Sequence, residues 1–217
     1  MRKTKLITGF VVLAASLVVT ASAQMTVYNN TSTWIGQSAA MPAGKVEFGD
    51  EITLANLASG ATLSALKVEV FGQGLSGDEQ ATLRLYNIAG NATDGYTLAQ
   101  IGGPNSAAIG NGYTTLTYTD PALVLPSKLV WTVSFSGVEG AERAELPIYN
   151  PPTVGSSFDD FWTKDGSGNF ALFRFPSGNP VGNFAANVTA VPEAGTIAYG
   201  LVGGLMVLGY LRLRRSK

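Results

Sequence analysis

Between residues 24 and 190 the apolar positions recur every second residue, not every third or fourth. In Leu66-Lys67-Val68-Glu69-Val70 apolar and charged side chains alternate strictly. Ala81, Leu83 and Leu85 fall on one side and Thr82, Arg84 and Tyr86 on the other. Leu129, Trp131, Val133 and Phe135 repeat the pattern against Val130, Thr132, Ser134 and Ser136. Successive side chains of a strand point to opposite faces, so each stretch predicts a strand with one buried side. Residues 113–119, 170–175 and 184–188 read the same way, and shorter strands are expected at 26–28, 45–48, 52–54, 96–101 and 146–149.

Turn formers separate these stretches: Gly72-Gln73-Gly74, Ser76-Gly77-Asp78, Gly102-Gly103-Pro104-Asn105, Asn111-Gly112 and Asn150-Pro151-Pro152. Asn111-Gly112 predicts a two-residue hairpin, since both residues tolerate positive φ. Asn150-Pro151-Pro152 reads as a loop and not as a domain break. No helical periodicity runs between the two terminal apolar segments. About eight to ten strands spaced in this way predict an all-β fold: an antiparallel β-sandwich, with jelly-roll topology as the first expectation.

The two ends differ from this middle. Arg2, Lys3 and Lys5 precede an uncharged run from 6 to 19, and Ala21-Ser22-Ala23 follows in A-x-A form. That layout predicts a secretory signal helix over 1–23, cut after Ala23 by signal peptidase so that the mature chain begins at Gln24. The run is 14 residues, short of the roughly 20 a membrane span needs. Residues 194–211 carry no charge and would reach about 27 Å as a helix, close to the hydrocarbon thickness of a bilayer. Arg212, Arg214 and Arg215, in the basic tail 212–217, predict a cytoplasmic stop behind a transmembrane helix, with the ectodomain (24–190) outside. Gly200 and Gly204 form a G-x-x-x-G pair, which five glycines in one span produce readily by chance.

Charge sharpens this division. The chain of 217 residues has a net charge of −1, but seven of its 14 cations lie in the two ends. Residues 24–193 keep 7 cations against all 15 carboxylates, a net of −8. No basic surface is left there to neutralise phosphates, so nucleic acid is not an expected partner. Without any Cys or His, disulfides, thiol nucleophiles, imidazole-based triads and the usual zinc sites are excluded.

Val191-Pro192-Glu193 stands directly before the C-terminal apolar run. Motif (191–194), apolar stretch and arginine cluster, in that order at the extreme C-terminus, resemble the PEP-CTERM sorting signal of exported bacterial proteins. The resemblance covers residues 191–217, and Ala194 departs from it by standing where a second proline is usual. It implies recognition by an exosortase, a membrane protease-transpeptidase, with cleavage near the motif. It further implies passage from an inner-membrane anchor to the cell surface or extracellular matrix of a Gram-negative bacterium that makes exopolysaccharide. Val46-Glu47-Phe48-Gly49-Asp50-Glu51-Ile52-Thr53-Leu54 and Val154-Gly155-Ser156-Ser157-Phe158-Asp159-Asp160-Phe161-Trp162 also look like stretches of other ectodomains of that family, which implies no activity for them.

The candidate chemistry of the ectodomain is sparse. Asp159, Asp160 and Asp165 are the densest hard-oxygen donors and suggest a calcium site, although Asp165-Gly166-Ser167-Gly168-Asn169 lacks the EF-hand pattern. Turn geometry explains the same residues. Asp50/Glu51, Asp78/Glu79 and Asp159/Asp160 are paired carboxylates of the kind glycosidases use, but neighbours on a strand point to opposite faces. Trp162, between Asp160 and Lys164, is the expected exposed aromatic for stacking on a sugar ring. Asn29, Asn30, Asn91 and Asn187 open N-x-[ST] sequons. The sequence thus predicts an exported, non-enzymatic surface protein without catalytic residues or an obligatory cofactor, linked to exopolysaccharide. A carbohydrate-binding module and a polysaccharide-acting enzyme are its alternatives.

Overall fold

The computed structural model describes residues 23–91 and 95–193. The signal helix with Ala21, the transmembrane run and Arg212, Arg214 and Arg215 lie outside the described residues. Among the described residues no helix is long and apolar enough to cross a membrane.

Thirteen strands are described: β1 (Met25–Asn30), β2 (Trp34–Ala40), β3 (Lys45–Thr53), β4 (Thr62–Gln73), β5 (Gln80–Asn91), β6 (Gly95–Ala108), β7 (Gly112–Tyr118), β8 (Lys128–Ser136), β9 (Arg143–Tyr149), β10 (Ser156–Ser157), β11 (Phe161–Asp165), β12 (Phe170–Phe173) and β13 (Ala186–Val191). All their pairings are antiparallel. Sheet 1 runs β1-β13-β4-β9-β2, with β7 also on β4. Residues 66–68 of β4 pair with both β13 and β7, so these two strands lie on opposite edges of β4. Sheet 2 runs β12-β11-β3-β8-β5-β6, with β10 on β3.

The alternation in the sequence becomes the core. Leu63, Leu66, Val68 and Val70 of sheet 1 and Ala81, Leu83, Leu85, Leu129, Trp131 and Val133 of sheet 2 belong to one buried cluster. Each fully buried Leu or Val of this set contributes about 1.5–3 kcal/mol. At its centre Phe48, Phe161 and Phe184 meet edge to face at 5.3–6.2 Å, the geometry that ring quadrupoles favour.

Several local expectations are corrected. Asn111-Gly112 is not a hairpin turn: β6 pairs with β5 in sheet 2, whereas β7 pairs with β4 in sheet 1. The turn carries the chain between sheets, and the Asn111 amide is occupied in bridging the backbone N–H and C=O of Leu75 at 2.9 and 3.1 Å. Gly102-Gly103-Pro104-Asn105 does not break the chain; it lies within β6, which absorbs it at an irregularity opposite Leu83 and Leu85. Segments 45–48 and 52–54 are one strand, β3. The strands β2, β10 and β11 fall where the pattern predicts none. β2 is exposed at every residue but Ala39, and the first three residues of β11 are buried on both faces, so neither alternates. Val191 closes β13 opposite Thr62, so the sheet runs one residue into the Val191-Pro192-Glu193 motif.

Candidate functional site

The outer face of sheet 1 carries the exposed aromatic side chains that matter most. β2 pairs with β9 through Trp34↔Tyr149 and Ser38↔Pro147. Four steps on β2 therefore face two on β9, a bulge that twists the strand and lifts its middle. Gly36, at φ 80°, supplies the left-handed conformation this bend requires. Trp34, Gly36, Gln37, Ser38, Phe71, Tyr113 and Pro147 line the resulting groove of about 190 Å³. Trp34 is 53% and Tyr113 55% exposed. Tyr113 is directly opposite Phe71 across the β4–β7 pair, and their rings are 5.2 Å apart. The indole N–H of Trp34 donates to the carbonyl of Gln37 at 3.3 Å, which fixes the ring at the rim.

Polar groups surround these rings. Ser38 donates its hydroxyl to Glu145, and the hydroxyl of Tyr149 donates to Glu69 at 3.1 Å. Burial and the nearby Glu69 charge push the Tyr149 phenol up to about 12. It therefore remains a neutral donor at any physiological pH.

β3 holds two further polar clusters, one on each face. Asp50 points inward and Glu51 outward, so this adjacent pair cannot act as an acid–base couple. Asp50 is completely buried; Ser157 Oγ and the backbone N–H of Phe184 contact its carboxyl at 2.8 and 3.2 Å. Desolvation raises its pKa well above the ordinary carboxyl range, and these hydrogen bonds do not offset it. On the outer face Glu47 accepts from Tyr86 and Thr132 at 2.8 Å and from Lys164 at 3.1 Å. Burial opposes ionisation of Glu47, but these donors and the Arg84 charge outweigh it and lower its pKa. The stretches 46–54 and 154–162 are neighbours: β10 and β11 both pair with β3.

The residues singled out in the sequence fall elsewhere. Trp162 is not exposed: it is 2% accessible, donates its indole N–H to Glu51 at 3.1 Å, and is capped by the edge of Tyr96 at 5.4 Å. It offers no face to a sugar. Asp165 accepts from the backbone N–H groups of Ser167 and Asn169 at 2.9 Å, a turn-closing role. Asp160 pairs with Arg174 at 2.9 Å. Among the described residues no group of three or more acidic side chains converges as metal ligands, and Asp159, Asp160 and Asp165 do not form one. Of Asp78/Glu79, Glu79 turns back onto its own loop, where hydrogen bonds from Ser76 and Gly77 overcome desolvation and hold its carboxyl at about 2. Asn30, in two of the sequons, is wholly buried and closed to modification in the folded chain. Ala23 and Gln24 are exposed at the start of the described chain, and Pro192-Glu193 leave β13 with Glu193 exposed beside Gly60.

Sequence pattern misses the groove because Phe71, Trp34 and Tyr113 are far apart in the chain, and an aromatic ring on a strand reads as core. The flat polarity of 34–40 is the one available signal: a Trp in a stretch with no apolar alternation has no core to enter.

Compared with protein-family models, curated proteins and solved structures, the chain matches none. Two exposed rings, Trp34 and Tyr113, stand in one shallow groove together with the polar side chains of Gln37 and Ser38.

Proposed function

We propose that this chain is an exported, non-catalytic protein of the bacterial cell surface or extracellular matrix that holds polysaccharide on the outer face of sheet 1. The groove between Trp34 and Tyr113 carries this reading. Apolar ring faces stack on the C–H faces of a pyranose, and Gln37, Ser38 and Glu145 stand beside them as hydroxyl partners.

The sorting features complete the proposal. A signal peptide cut before Gln24 delivers the chain, the 194–211 helix and its arginines hold it in the inner membrane, and an exosortase acts near Val191-Pro192-Glu193. The ectodomain is a jelly-roll sandwich in this reading. Without β2 and β9–β12, the sheet orders are β7-β4-β13-β1 and β3-β8-β5-β6, with first and last strands adjacent and every connection except β5–β6 crossing between sheets.

Retention of the full-length chain on immobilised exopolysaccharide from its source organism tests the ligand. Wild-type protein should be retained and Trp34→Ala and Tyr113→Ala lost. Equal retention of all three rejects the groove. Intact-mass measurement of the native protein tests the sorting, which requires a species starting at Gln24 and lacking Lys217.

A further inference from the structure

The geometry points to a second subsite, continuous with the groove, for an acidic sugar residue: the ligand is a polysaccharide containing uronate. This deepens the polysaccharide reading above and rests on it.

A cleft of about 650 Å³ opens at the end of the two sheets, next to the groove. Ser38 and Pro147 line the groove, whereas Ala40 and Glu145, two register pairs further along β2 and β9, line the cleft. Two residues of strand cover about 7 Å, so one chain of linked sugars passes from one to the other without a gap. Met41, Val46, Phe135 and Val138 form an apolar floor able to receive a ring face.

The rim carries Lys45 and Arg143, and the charge distribution makes them unusual. Residues 24–193 contain seven cations. Arg84 and Lys164 are paired with Glu47, Lys128 with Glu51, and Arg174 with Asp160, all at 3.5 Å or less. Of the remaining three, Lys67 on β4 forms no ion pair among the described residues. Lys45 closes no ion pair among the described residues, although it stands opposite Asp165 in the β3–β11 register and, beside the Asn169 hydrogen bonds, its charge helps to lower that carboxyl. Arg143 reaches Glu145 only at 4.0 Å. Two of the three weakly engaged cations of a domain at −8 thus face one cleft. A carboxylate placed between Lys45 and Arg143 would meet two cations at once.

The rim also carries Glu142 and Glu145, so its formal charge is balanced and it offers cations and acceptors side by side. Glu142 accepts the backbone N–H of Glu139 at 2.8 Å, and Glu145 accepts the hydroxyl of Ser38. Both are held in place as acceptors for hydroxyls. A residue bearing one carboxylate among several hydroxyls is matched by such a rim, and a neutral hexose leaves its cations unused.

Polygalacturonate and its fully methyl-esterified form test this, because they share a backbone and differ in charge. With the full-length chain in detergent, polygalacturonate should bind about tenfold more tightly than the ester at low salt. The gap should close as salt is raised. Lys45→Gln with Arg143→Gln should remove the gap while leaving ester binding unchanged. Trp34→Ala should weaken both polymers. Equal affinity for the two polymers in the wild type, or a gap that survives the double substitution, overturns the acidic subsite and leaves the groove standing. A gap unaffected by Trp34→Ala overturns the continuity of the two sites. Binding of neither polymer, nor of the native exopolysaccharide, overturns both.

Discussion

Ser157 Oγ lies 2.8 Å from both carboxyl oxygens of Asp50 and 2.9 Å from Oδ1 of Asn183. One hydroxyl proton cannot serve an ionised carboxylate and an amide oxygen together. If Asp50 keeps its proton, it donates to Ser157, Ser157 donates to Asn183, and Asn183 Nδ2 donates to Asn150 at 2.9 Å. Every member of the chain is then satisfied. Proton counting and burial therefore agree that Asp50 is neutral in the folded state over a range where an exposed aspartate is charged.

A pH dependence follows. The folded pKa of Asp50 is raised above its ordinary 3.8. The folded chain thus keeps a proton that the unfolded chain has shed. The stabilisation is complete below the unfolded value and is lost as pH rises from about 4 through the raised pKa. Asp50→Asn supplies a permanent N–H donor and lacks this loss. Urea unfolding between pH 4 and 9 should show wild type losing stability relative to Asp50→Asn, by at most about 1.4 kcal/mol per pH unit. Parallel curves would mean that the carboxyl is ionised throughout.

Glu47 should show the opposite sign. Its pKa is lowered by donors from Tyr86, Thr132 and Lys164 that outweigh its desolvation. Its contribution is present above about 4.5 and fades as pH falls through the lowered value. Glu47→Gln keeps the shape but strands Lys164 beside the rings of Tyr86 and Phe170. A loss of about 1–3 kcal/mol at pH 7 is expected, with a shallower acid limb than wild type. Both are read from denaturant midpoints across pH; an unchanged midpoint at pH 7 contradicts the network.

Gly49 sits in β3 between β8 and β11. A methyl group there would run into the carbonyl of Trp131 and lie 2.6 Å from Thr132 Cα. Backbone cannot rotate away as a side chain does. Gly49→Ala should therefore cost about 1–3 kcal/mol or prevent folding. Gly166→Ala meets nothing within 4 Å and should stay within about 0.5 kcal/mol. Similar urea midpoints for the two variants would refute the close approach.

These residues show what sequence can and cannot convey. Leu66 to Val70 alternate because one face of β4 is buried and the other is wetter, and there the pattern places the core correctly. Leu129, Trp131 and Val133 enter the same core, but Val130 and Thr132 on the far face of β8 are fully buried as well. The pattern fails where a strand is buried on both faces: Phe161 enters the central core while Trp162 is covered by Tyr96 from the far end of the β5–β6 hairpin. It fails again at β2, which is exposed on both faces and held by its pairing with β9. Which sheet a turn joins is also invisible locally, since Asn111-Gly112 has the same chemistry whether it closes a hairpin or crosses between sheets. The groove depends on such a crossing to bring Tyr113 beside Phe71.

The two tryptophans at 34 and 162 separate binding from folding. Trp162 is buried and hydrogen-bonded to Glu51, so Trp162→Ala leaves a cavity and an unpaired acceptor and should cost about 3–5 kcal/mol. Trp34 is more than half exposed, and Trp34→Ala should change stability by less than about 1 kcal/mol. The third tryptophan, Trp131, is fully buried. In Trp162→Phe, which retains most of the volume, acrylamide should therefore quench chiefly Trp34 fluorescence, and a saturating polysaccharide should protect it. In Trp34→Phe that accessible, ligand-protected fraction should vanish while the unfolding midpoint stays near wild type. A ligand-protected signal that persists in Trp34→Phe would place the sugar away from the groove.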